Sequence, residues 1–142
     1  MKQKTIFLLT IALFALYCKG EQNKPGEPIT PQDVYTKDDP GNWAGKENEH
    51  TPKVEILSNS GRDNIRVTVM LQDTSPAHFI EKIFIADSKG KPYEEKVFNR
   101  DHAKTYTATF SMPVNSQTAS EYKVYARCSQ HDLWAAPLRS HQ

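Results

Sequence analysis

The run Cys128-Ser-Gln-His131-Asp-Leu-Trp134 holds the residues best suited to chemistry in this sequence. A cysteine and a histidine three apart, where an inward-facing strand passes into a turn, can both reach one metal ion. Alone, C-x-x-H is a weak motif, as often coincidence as site. Two further histidines strengthen it. His50 lies in Glu49-His50-Thr51-Pro52 and His78 in Pro76-Ala77-His78-Phe79-Ile80, each just ahead of an apolar segment. Taken singly, each is an ordinary surface or satisfied core histidine. With a thiol that has no disulfide partner they make a candidate set of three imidazole nitrogens and one sulfur, provided the fold brings those loop ends together. His102 reads as decoration of a surface loop, and as a replacement ligand only if that loop swings inward.

That Cys128 has no partner follows from the start of the chain. Lys2 and Lys4 precede an apolar run, Ile6 to Tyr17, broken only by Thr10. The run is too short for a permanent transmembrane helix and suits the apolar region of a secretory signal. Cys18 closes it, followed by Lys19 and a polar spacer, the pattern of a bacterial lipoprotein whose cysteine is lipidated. Residues 1–17 are therefore expected to be a lipoprotein-type signal, the protein exported, and the mature chain anchored to a membrane through Cys18 or free in the periplasm. The competing cleavage, after Gly20, leaves the same cysteine arithmetic: of two cysteines only Cys128 remains as a thiol. Such a thiol is inert and buried, or pairs with another chain, or binds metal.

The elements that must position these residues are strands. Residues 18–41 contain four prolines, many charges and little that is apolar, and are expected to form a flexible tether. The folded domain is expected over 42–142. Within it Lys53 to Leu57, Ile65 to Leu71, Phe79 to Ala86, Tyr93 to Phe98 (a weaker edge), Tyr106 to Met112 and Tyr122 to Cys128 read as short strands separated by turn residues. No segment sustains a helical period. About seven strands in roughly 100 residues predict an all-β, immunoglobulin-like antiparallel sandwich. Charge is uninformative about a binding partner: two of the 18 basic residues fall in the signal and all 17 acidic ones after it, leaving a mature net charge near −1. Without a basic stripe, nucleic acid is not an expected partner. Homo-oligomerisation stays open.

From Gly41 to Trp134 the sequence resembles the superoxide reductases, also called neelaredoxins or desulfoferrodoxins. Gly41-Asn-Trp43-Ala-Gly45 followed by His50-Thr-Pro52 is similar to that family's opening G-x-W-x-G and K-H-x-P segments, with about two extra residues. Ser75 to Ile80 is similar to the end of its H-P-x-x-x-x-H-[YH]-I segment, and Cys128 to Trp134 to its closing C-N-x-H-G-x-W. The resemblance implies a mononuclear non-haem iron with four equatorial histidines and an axial cysteinate. It implies reduction of superoxide to hydrogen peroxide with an electron from an external donor. His50, His78, His131 and Cys128 fall on ligand positions.

Four positions depart from the pattern. The fourth histidine falls on Gln72, whose amide oxygen is a weaker donor to iron than imidazole. The family's catalytic Glu-Lys pair falls on Asn48 and Glu49, with Lys46 and Glu47 nearby as candidate substitutes. The glycine after the last histidine is Asp132, which tolerates a left-handed backbone. These departures keep two other classes in view. One is an exported iron or copper module that binds metal or carries electrons without superoxide turnover. The other is a sandwich-fold binding protein like a sulfur-oxidation carrier subunit, which shares a similar Pro-Ala-His-Phe-Ile stretch.

Overall fold

A computed structural model describes residues 34–59, 62–100, 103–113 and 119–138. In chain order the elements are β1 (Val34–Tyr35), α1 (Glu47–His50), β2 (Lys53–Asn59), β3 (Arg62–Met70), β4 (Ile80–Asp87), β5 (Pro92–Val97), β6 (Thr105–Met112), β7 (Tyr122–Cys128) and β8 (Leu133–Pro137). Short 3-10 turns precede α1 at Gly41–Trp43 and β7 at Ala119–Glu121. The period-2 pattern accounts for most of this. Along β6 every second residue is buried, and Tyr106, Ala108, Phe110 and Met112 face one side. Ile65, Val67 and Val69 do the same in β3, which pairs with β6 and with β2 in antiparallel register.

Two sheets result, one of three strands in the order β2-β3-β6 and one of five in the order β1-β8-β7-β4-β5. Ile83 and Ile85 of β4 and Val124 and Ala126 of β7 meet the inner face of the three-stranded sheet, forming one core. Each fully buried aliphatic side chain there contributes about 1.5–3 kcal/mol. A register shift between Ile80 and Lys82 lets Ile80, Ile83 and Ile85 all point inward despite their uneven spacing. The sandwich is thus the expected one, with eight strands among the described residues.

Two strands differ from the sequence reading for identifiable reasons. Four of the five residues of β8 are buried, so the segment carries no alternation to read. β1 lies inside the stretch expected to be tether. Val34 and Tyr35 are an apolar pair in polar surroundings, and they pair in parallel with Leu133 and Trp134 on the free edge of β8. Val34 packs beside Phe84, Tyr125 and Leu133, and the Tyr35 ring sits 5.9 Å from that of Trp134. A chain beginning at Gln32 is therefore expected to keep the full urea midpoint, whereas one beginning at Asn42 loses about 2 kcal/mol. Equal midpoints would show that β1 contributes nothing. The expected signal, Cys18 and His102 lie outside the described residues.

Candidate metal centre

Four chain ends meet at one end of the sandwich: α1 leading into β2, the end of β3, the start of β4, and the turn from β7 into β8. His50 is the last residue of α1, whose single turn is closed by the His50 and Thr51 amides donating to the Lys46 and Glu47 carbonyls. His78 closes a tight turn in which Ser75 and His78 exchange backbone hydrogen bonds, just before β4. Cys128 ends the buried face of β7, opposite Ile80, and His131 follows three residues later in the turn. Ser129 joins the turn after β7 to the start of β4. Its hydroxyl donates to the Ala77 carbonyl (2.7 Å) and accepts from the Phe79 amide (3.0 Å). The Cys128 amide donates to the Asp132 carbonyl, closing the turn.

The ligating atoms of His50, His78, Cys128 and His131 all lie within 4.8 Å of one another, and all four residues are buried. The Nδ1–H of His50 donates to the Lys46 carbonyl (3.0 Å), which leaves a bare lone pair on Nε2. That nitrogen lies 2.9 Å from His131 Nδ1 and 3.2 Å from His78 Nε2, and His131 Nδ1 lies 3.6 Å from the Cys128 sulfur. Nitrogen lone pairs this close repel unless a cation or a proton sits among them. One ion would fit among these donors, since two metal–ligand bonds of about 2.0–2.3 Å reach roughly 4–4.6 Å, close to the 4.8 Å spread of the cluster. Trp134 braces it from behind: its fully buried indole N–H donates to the His131 carbonyl at 2.7 Å, and its ring lies 5.6 Å from that of His50.

The electrostatics favour neutral imidazoles that await a cation. Burial, reinforced by the neighbouring His131 and His78, holds His50 down to about 4, against the upward pull of its bond to the Lys46 carbonyl. Burial likewise lowers His131, and the charges of His78 and Lys46 add to that. Burial pushes the Cys128 thiol up, so in metal-free protein it keeps its proton and a bound metal must displace it.

The remaining sequence candidates lie around this cluster. Gln72 follows β3 and is exposed, and its backbone N–H donates to Glu49 Oε2 at 3.2 Å. Lys46 caps α1, its ammonium 3.5 Å from Glu49 Oε1. The Glu47 carboxylate accepts the Gly45 amide (2.9 Å), and that bond holds it below its usual range. Glu49 is the carboxylate that is buried and beside Lys46, and its charge acts on both His50 and His131. Sequence reading placed Glu49 only as a misfit to the family pair. Nothing in C-x-x-H spacing reveals the Ser129 hydroxyl, which staples two loops. Asp132 adopts φ +57, the left-handed backbone anticipated for it.

Fold and cluster together define a β-sandwich with a three-histidine, one-cysteine metal centre. Residues 42–137 match the family model Desulfoferrodoxin, and the chain belongs to that family. Among solved structures it is similar to the superoxide reductase from Nanoarchaeum equitans, at 16% identity, TM-score 0.51, covering 72% of this chain and 95% of that one. It is also similar to a superoxide reductase in the oxidized state, at 16% identity, TM-score 0.50, with 76% and 96% covered. At such identity the likeness is one of fold. No curated protein matches the chain. The domain and its donor set fit a mononuclear non-haem iron.

Proposed function

We propose that the protein is an iron-dependent superoxide reductase. The observation that carries this reading is the convergence of three imidazole nitrogens and one buried sulfur within 4.8 Å in a desulfoferrodoxin-family domain. Iron held there would supply the one electron that, with two protons, converts superoxide to hydrogen peroxide, and an external donor would restore it. His50, His78, His131 and Cys128 would hold the ion, and the sulfur, once deprotonated, would donate electron density to it. Lys46, whose charge is felt at His131, supplies the positive field that draws in a small anion, and Glu49 fixes its position. Of the pair suggested by sequence, Lys46 keeps its part in this reading and Glu49 stands in for Glu47.

Ferrous protein mixed anaerobically with superoxide is expected to be oxidised with one hydrogen peroxide per iron and no dioxygen evolved. Absence of oxidation above the buffer rate would overturn the reading. A centre that exchanges electrons with a donor yet ignores superoxide would instead be an electron carrier.

The location proposed for this activity is the exported, membrane-held one that the leader and Cys18 suggest. Stable anchoring needs more than one acyl chain. Cys18→Ser is expected to abolish detergent partitioning of mature protein. Equal partitioning of variant and wild type would favour ordinary cleavage after Gly20.

A further inference from the structure

The Trp43 indole N–H donates to Asp132 Oδ2 at 3.0 Å, across 89 positions of sequence. The bond joins the 3-10 turn before α1 to the last turn of the metal centre. Two features make it more than an incidental surface contact. First, the Trp43 ring packs edge-on to the His131 imidazole, with centroids 4.7 Å apart at 78°. The hydrogen bond from Trp134 fixes the His131 backbone, whereas Trp43 bears on the imidazole itself. Second, the Trp43 carbonyl accepts the Lys46 amide (3.0 Å), and the Lys46 carbonyl accepts His50 Nδ1–H (3.0 Å). One series of hydrogen bonds therefore runs from Asp132 through Trp43 and Lys46 to His50. It touches two of the three imidazoles from outside.

Asp132 reaches this bond from φ +57, a backbone region that disfavours any residue with a Cβ. Glycine, which stands here in the motif this turn resembles, would sit there without strain and without a side chain to accept the indole. The Trp43 turn is also built to close tightly. Gly41 sits at φ +52, and a Cβ there would lie 2.6 Å from the Tyr35 ring. We propose that Asp132 is a positioning residue: by accepting the Trp43 indole it latches the Gly41–Trp43 turn against His131 and holds the His131 and His50 rings in their ligating orientations.

The test compares Asp132→Gly, which relieves the backbone and removes the acceptor, with Asp132→Asn, which keeps both the left-handed tolerance and an acceptor oxygen. The chain has two tryptophans, and Trp134 is fully buried, so acrylamide quenching of emission reports on Trp43. In metal-free protein Asp132→Gly is expected to raise the unlatched-to-latched ratio roughly fivefold, the value of one net hydrogen bond, and quenching with it. Its melting temperature should not fall, and Asp132→Asn should quench like wild type. In iron-loaded protein Asp132→Gly should shift the thiolate-to-iron band and change azide affinity, with Asn restoring both. Trp43→Phe keeps the ring edge without the N–H and should reproduce the shift. Unchanged quenching in Asp132→Gly, or Asn behaving as glycine does, overturns the latch. Because quenching is read without metal, failure of the iron reading and failure of the latch give different results.

Discussion

Cys128→Ser is expected to erase the thiolate-to-iron absorption of ferric protein while leaving the sandwich folded. The sulfur is buried at the end of the β7 inward face and lies 3.6 Å from His131 Nδ1. A serine hydroxyl keeps the size but is neither soft nor readily deprotonated. Iron affinity should therefore fall by more than the roughly 10- to 100-fold that follows loss of a partner one shell further out. Because burial raises the Cys128 thiol pKa, wild-type protein should release a proton on taking up iron and bind it more tightly as pH rises. Visible spectra, metal content and circular dichroism of the variant provide the check. A folded variant with unaltered spectrum and iron content would remove Cys128 from the centre.

The second large effect concerns metal-free protein in acid. His50 is fully buried, and its pKa falls from 6.5 to about 4 on folding. The unfolded chain takes up this proton first, so between those two values it binds more protons than the folded chain, and stability drops as pH drops. The contribution present above about pH 6.5 is about 3 kcal/mol and is lost as pH approaches 4. A domain of this size has about 5–15 kcal/mol in total, so the effect is a large share. His131 shifts in the same direction and adds to it. Urea midpoints across this window should fall steeply for metal-free wild type and more gently for His50→Gln. Parallel curves would mean that His50 titrates alike in both states.

How much of this was legible in the sequence depends on how local each signal is. The alternation from Tyr106 to Met112 is set by neighbours two residues apart, and β6 reproduces it position by position. The inward face of β7 led correctly to a buried Cys128 for the same reason. β8 is buried on both faces, and α1 is a single turn, shorter than the period that would reveal it. The convergence of His50, His78 and His131 was readable only as an expectation about strand ends in a sandwich. Their actual approach depends on the Ile80–Lys82 register shift and on Ser129 tying the His78 turn to Cys128. The Lys46–Glu49 pairing depends on a helix that carries no sequence period, and the Trp43–Asp132 bond on a separation of 89 residues.

The parallel pairing of β1 with β8 also has a mechanical meaning. Among the described residues, the two of β1 are the first to meet a pull from ahead of Val34, and one of them, Tyr35, leans on Trp134. Trp134 in turn grips the His131 carbonyl and lies against His50. Tension arriving along β1 would thus reach the backbone that presents His131 through one ring contact and one hydrogen bond, while the other edge strand of that sheet, β5, stands three strands away from β8. A domain hung from a surface by its leading segment would carry its load through the metal centre's own bracing.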